Sequence, residues 1–181
     1  RPNLTGEDSI NFYNSTHRHY CGIDLHARSL YVCILDQQGD TLLHKEIPAK
    51  PEPLLHLIEP YLDELIIGVE CMHCWYWIAD FCEDQGIAFI LGHALYMKAI
   101  HGGKTKNDRV DSYKIAALIR GGNFPLAYAY PRRMRATRDL LRRRTGLVRH
   151  GADLKAHVVN TTSQYNLPPN KVNLKNVSAR E

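Results

Sequence analysis

The sequence predicts an α/β fold, a mixed five-stranded sheet with flanking helices, followed by a long basic helix. Three observations predict it. Three β-rich segments on short links come first, between residues 20 and 47. Two continuous apolar runs, Leu65–Val69 and Ile87–Leu91, then alternate with segments of helical spacing; such runs mark strands covered on both faces. Beyond Pro131, apolar residues recur every seven positions among arginines, the spacing of a coiled coil or a docking helix.

The elements follow in order. Residues 1–18 are polar, contain no secretory apolar core, and are expected to be disordered; without an initiator Met the chain reads as an excised piece or a fragment. Tyr20–Leu25 is a short apolar run interrupted by Asp24, and Leu30–Asp36 is rich in β formers. His26-Ala27-Arg28-Ser29 links them tightly, Gln37–Asp40 is a turn, and Thr41–Ile47 is a third strand. Links this short make an antiparallel meander. Pro51–Leu62 has helical spacing, with Pro51 or Pro53 near its start, and Pro60 ends or bends it. The run Leu65–Val69 ends on Glu70. Trp75, Ile78, Ala79 and Phe81 space a helix that Gly86 stops, and Ala94–Ile100 is a short helix after Ile87–Leu91.

Next comes Gly102-Gly103-Lys104-Thr105-Lys106-Asn107-Asp108-Arg109-Val110-Asp111-Ser112. Helical spacing in Val110, Ile115, Ala116, Leu118 and Ile119 makes this a helix start, with Asn107 or Asp108 as N-cap. Gly121–Pro125 ends it. The order β-β-β-α-β-α-β-α, antiparallel first and crossovers after, is the ribonuclease H-like arrangement, with the first strand beside the fourth.

In the long segment from Arg132 to about Asn160, Met134, Leu141 and Val148, and likewise Leu140, Leu147 and Leu154, stand seven apart. Gly146 and Gly151 each cost about 1 kcal/mol of helix propensity and are places for a bend. Residues 161–181 are polar, with Pro168-Pro169, and read as a linker.

Composition narrows the function. With 44% hydrophobic and 23% charged residues the chain is an ordinary globular protein, and no apolar run approaches the ~20 residues of a membrane span. Five cysteines, an odd number without an export signal, point to reduced thiols in a cytoplasm. Cys71-Met72-His73-Cys74 has the spacing of half a zinc site, but a second pair at ligand spacing is missing, and small buried thiols are the simpler reading. Residues 1–120 carry 11 Lys/Arg against 16 Asp/Glu, whereas residues 121–160 carry nine against two. An acidic body with one basic arm suggests a polyanion held by the arm. The arm's cations are Arg132, Arg133, Arg135, Arg138, Arg142, Arg143, Arg144 and Arg149. Tyr128 and Tyr130 either stack on bases or pack.

Asp108 and Asp111, spaced i, i+3, share a helix face at its positive end. On the predicted fold Asp24 and Glu70 reach the same sheet edge. Each acid also has an ordinary reading: a strand-end polar group, a capping acid, or a dipole partner. Together the four suit two Mg²⁺ ions about 4 Å apart, the arrangement that cleaves phosphodiesters. Lys104, Lys106 and Arg109 would then contact neighbouring phosphates.

Gly22-Ile23-Asp24-Leu25-His26, Gly68-Val69-Glu70, and Lys104-Thr105-Lys106-Asn107-Asp108-Arg109-Val110-Asp111 followed by Ile115-Ala116-Leu118 resemble the DEDD transposases of bacterial insertion sequences. Their relatives include the Piv-type DNA invertases and the bridge-RNA-guided recombinases. The resemblance covers roughly residues 20–170. It implies a RuvC-like catalytic domain over 19–125, whose acids Asp24, Glu70, Asp108 and Asp111 bind Mg²⁺. It implies a basic coiled-coil helix over 126–160 that joins subunits into a homo-oligomer and contacts nucleic acid. It further implies DNA as substrate, a structured guide RNA as partner in some members, and a nucleoid-associated cytoplasmic location in bacteria. The family's C-terminal domain, with its serine nucleophile, lies outside this sequence, so the piece is expected to be inactive alone. Ser29 and Ser112 lie near the site without an identifiable base. The alternatives are a junction-resolving RuvC-like nuclease and a non-catalytic nucleic-acid-binding or dimerisation module.

Overall fold

A computed structural model describes residues 10–101 and 107–168. They fall in two compact units divided between Ala129 and Tyr130. In the first, β2 (His19–Leu25), β3 (Ser29–Leu35) and β4 (Thr41–Pro48) form an antiparallel meander after a two-residue β1 (Phe12–Tyr13). Then come α1 (Pro51–Ile58), β5 (Leu65–Glu70), α2 (Tyr76–Gln85), β6 (Ala88–Gly92), α3 (Ala94–His101), α4 (Asp108–Arg120) and β7 (Phe124–Pro125). The main sheet has the order β4-β3-β2-β5-β6, and β5 is parallel to both β2 and β6. The first strand of the meander thus lies beside the fourth, as the element order predicts.

Local chemistry sets the boundaries. Two prolines open α1, and Pro60 falls in the three-residue 3₁₀ turn that ends it. Gly86, in the left-handed region at φ 67°, stops α2 and donates its N–H to Cys82 and Glu83 carbonyls. Asn107 caps α4, its side chain accepting from the Arg109 N–H at 3.0 Å, which decides between Asn107 and Asp108.

Side chains alternate across a strand, and each sheet face has its own cover. Leu54 and Ile58 of α1 and Ile78, Phe81 and Cys82 of α2 are buried, with Cys82 near Cys21 of β2. On the other face Tyr20, Cys33, Ile66 and Ile90 pack with Ile115, Ala116, Leu118 and Ile119 of α4. Gly22 and Gly68 pair in register on that face. A Cβ at Gly22 would lie 2.3 Å from the Ala116 nitrogen, and one at Gly68 2.5 Å from Ile119 Cδ1. The two glycines form a trough in which α4 lies.

Two expectations change. Within the stretch expected to be disordered, Phe12–Tyr13 forms a strand that pairs antiparallel with β7. The ladder closes because Leu126 N–H also reaches the Asn11 carbonyl at 2.7 Å. The long helix α5 (Arg132–Gln164) runs past residue 160 into the expected linker, and through Gly146 and Gly151 without interruption. Residues 169–181 of the linker lie outside the described residues. No described helix is long and apolar enough to cross a membrane.

Candidate metal centre

The trough decides which acids meet. Asp24 and Glu70 each stand two residues beyond a trough glycine, so their side chains leave the sheet on the α4 face. The β2–β5 register runs to Ile23 opposite Val69; one further step brings Asp24 beside Glu70. Helix α4 lies over Gly22 through Ser112, Ile115 and Ala116, so its first turn, with Asp108 and Asp111, lies toward the same strand ends.

The electrostatics of Asp24 report this grouping. Burial comes first in raising its carboxyl, to about 6; His26 opposes the shift, and the charges of Asp108, Asp111 and Glu70 add to it. Like charges that disfavour one another's ionisation are the environment a divalent cation reverses. One donor atom each from Asp24, His26 and Asp108 lie within 4.8 Å of one another. His26 Nδ1 is 3.8 Å from Asp24 Oδ2, and its Nε2 is 3.9 Å from Asp108 Oδ1. Asp111 is instead engaged by Lys114, with Nζ 3.2 Å from its Oδ1. Asp24, Asp108 and His26 thus form the tight group, while Asp111 and Glu70 act on it through charge.

His26, Lys114 and His44 are additions to the sequence reading. His26 sits in what reads as a bare turn, fixed by its N–H to the Ser29 carbonyl at 3.0 Å. Lys114 follows Asp111 by three residues, and that i, i+3 spacing was the available signal. His44 gave no sequence signal, because its partners are more than sixty positions away. It projects from β4 toward the start of α4, with Nε2 2.8 Å from the Arg109 carbonyl and 3.1 Å from Ser112 Oγ. A carbonyl only accepts, so this Nε2 carries the hydrogen. It therefore cannot take a proton from Ser112, which is fully buried and donates to the same carbonyl at 2.9 Å. The pair holds a helix start and is not a nucleophile with its base.

Of the expected nucleic-acid contacts, Lys104 and Lys106 lie outside the described residues. Arg109 is exposed at the start of α4. On α5, Arg132, Arg133, Arg142, Arg143 and Arg144 are exposed and Arg138 covers the Tyr130 ring at 5.0 Å. Arg135 is a correction: it is buried, and its Nε donates to the Tyr130 carbonyl at 2.8 Å, which takes it away from a phosphate. The heptad residues Leu140, Leu141, Leu147, Val148 and Leu154 are exposed along the helix.

A family model for DEDD transposases of the IS110 type, described as "Transposase", matches residues 21–166. No curated protein matches the chain.

Proposed function

The chain belongs to the IS110-type family of DEDD transposases, and from that premise we propose that the common end of β2, β5 and α4 is the metal-dependent DNA-cleaving centre. The observation that supports this reading is the charge environment of Asp24, whose carboxyl is disfavoured as an anion by burial and by the charges of Asp108, Asp111 and Glu70. The donor set fits Mg²⁺, which takes carboxylate oxygens and keeps several waters. When bound, two such ions activate the attacking oxygen and stabilise the leaving one in phosphodiester cleavage. Asp24 and Asp108 would hold the cations, with Glu70 and Asp111 completing the set. Lys114, whose Nζ lies 3.2 Å from Asp111 Oδ1, would balance the charge of that acid in the metal-free centre. Arg109, beside Asp108 and exposed, orients the phosphate next to the reacting one.

In the same reading α5 pairs with a second copy through its exposed heptad residues and offers its arginines to DNA, or to a structured RNA that guides the complex. Calorimetric titration of the chain with Mg²⁺ tests the centre. Binding is expected in the parent chain and lost in Asp24→Asn and Asp108→Asn. Equal Mg²⁺ binding by all three removes the proposal.

A further inference from the structure

We propose that His26 is a nitrogen ligand of the cation held by Asp24 and Asp108, and that the centre therefore takes Mn²⁺ in preference to Mg²⁺. The inference rests on the reading of this end of the sheet as metal-binding, and adds a ligand and a metal class to it.

Distance carries the argument. The imidazole lies between the carboxylates, with one nitrogen 3.8 Å from Asp24 Oδ2 and the other 3.9 Å from Asp108 Oδ1. Both separations are too long for hydrogen bonds. Ligands about 2.1 Å from one octahedral ion are about 3 Å apart when adjacent and about 4.2 Å when opposite. A histidine gives one nitrogen to an ion, so one of the two gaps is a ligand–ligand distance; either falls inside that range, and one donor atom from each of the three residues lies within 4.8 Å of the others. Closing them around an ion needs only small side-chain movements. The backbone under His26 is already fixed by the Ser29 carbonyl, which accepts its N–H at 3.0 Å across the β2–β3 turn. The ring is partly exposed, at 41% of its side-chain surface, so a cation and a phosphate can approach it from solvent.

Chemistry then selects the metal. Carboxylates and water suit Mg²⁺ and Mn²⁺ alike, whereas imidazole suits the transition ions. A mixed carboxylate–imidazole set therefore shifts preference from Mg²⁺ toward first-row transition ions, and Mn²⁺ is the one that shares the carboxylate-and-water ligation of Mg²⁺. The nitrogen left uncoordinated faces the other carboxylate, the kind of acid that orients a metal-bound histidine once it closes to hydrogen-bond distance.

The test uses the whole chain with Mn²⁺ or Mg²⁺ alone. Calorimetry compares the parent chain, His26→Gln and Asp24→Asn, and pulsed electron spin resonance of bound Mn²⁺ reads nitrogen coordination directly. The parent chain is expected to bind Mn²⁺ more tightly than Mg²⁺. It should also show a histidine nitrogen coupling that changes on ¹⁵N-histidine labelling, a readout that needs no variant. His26→Gln should lose that coupling and at least about tenfold of the Mn²⁺ affinity, the loss that even an outer-shell partner produces, while Mg²⁺ binding changes little. Unchanged or tighter Mn²⁺ binding in His26→Gln, with no nitrogen coupling in the parent chain, overturns the proposal and makes His26 a counter-cation that the metal displaces. Metal binding that survives Asp24→Asn overturns the underlying reading of the centre as well.

Discussion

Gly22 of β2 and Ala116 of α4 meet backbone to backbone: a Cβ on the glycine would stand 2.3 Å from the alanine nitrogen and 2.3 Å from the Ser112 carbonyl. Neither neighbour can rotate away, because both belong to the helix main chain. Gly22→Ala is therefore expected to destabilise the fold at or above the upper end of the about 1–3 kcal/mol typical of overpacking. Gly68→Ala should cost less, since its tightest neighbour is the Ile119 side-chain tip. Urea unfolding of the two variants checks the order. Lifting α4 also separates Asp24 from Asp108, so Gly22→Ala should bind divalent ions more weakly even under conditions where it stays folded.

The Asp24 carboxyl gives the centre a pH dependence. Burial, and then the charges of Asp108, Asp111 and Glu70 against the opposing His26, raise it from its ordinary value near 3.8 to about 6. A group whose folded-state value is raised favours the fold while protonated, so its contribution is fully present below about pH 4 and lost as pH rises through about 6. In the absence of divalent ions the melting temperature should fall across this window, and Asp24→Asn should flatten that part of the profile. A cation competes with the proton for the same oxygens. Stabilisation by added Mg²⁺ should then be present at pH 7 and largely absent at pH 4.5; equal stabilisation at both would contradict the assignment.

His44 ties the edge strand to the helix that carries two of the acids. Its Nε2–H serves the Arg109 carbonyl at 2.8 Å. His44→Ala should cost about 1 kcal/mol, the net worth of one such bond. It should also speed amide exchange over residues 108–112 more than over the end of α4. His44→Gln, which keeps an N–H donor, should recover part of the protection. A uniform change in exchange along α4 would show that the contact is mere packing.

Much of this architecture is legible in the chain because strand burial leaves a direct pattern. The unbroken run Leu65–Val69 identifies a strand covered on both faces, and Asp24 and Glu70 interrupt or end such runs with an anion. Gly22-Ile23-Asp24 and Gly68-Val69-Glu70 even share a glycine two places before the acid, which marks close backbone approach in a strand. What stays hidden depends on contacts made only after folding. His44 acts across more than sixty residues of sequence, His26 looks like any turn histidine, and β1 is too short, at two residues, to show alternation. Arg135 sits in the same arginine run as its exposed neighbours, and nothing local sets it apart as the one that is buried with its Nε on the Tyr130 carbonyl.

Helix α5 carries two glycines that no neighbour requires. A Cβ at Gly146 or Gly151 would meet nothing within 4 Å, and both lie inside the helix. Gly146→Ala and Gly151→Ala should each stabilise it by about 1 kcal/mol, seen as a rise in the helical melting midpoint. A loss of helix in either variant would mean that the glycine is held in contact with another molecule, and a second copy along the heptad face is the reading this would favour.

The arginines of α5 separate a nucleic-acid surface from a merely solvated one through salt. Each phosphate neutralised on duplex DNA contributes about 0.9 to the slope of log affinity against log salt. Arg142, Arg143 and Arg144 are exposed at consecutive positions, and successive helical residues point about 100° apart. One duplex cannot lie against all three, so the triple alanine variant should reduce the slope by about 1.8, two contacts' worth, and not by three. Arg135→Ala should leave the slope unchanged and lower stability instead, because that guanidinium is buried against the Tyr130 carbonyl. Fluorescence anisotropy with a labelled duplex between 50 and about 200 mM salt covers the range in which such slopes are resolved. If the triple variant loses the full three contacts, the helix is surrounded by nucleic acid on more than one side, as a guide RNA and a DNA target together would do.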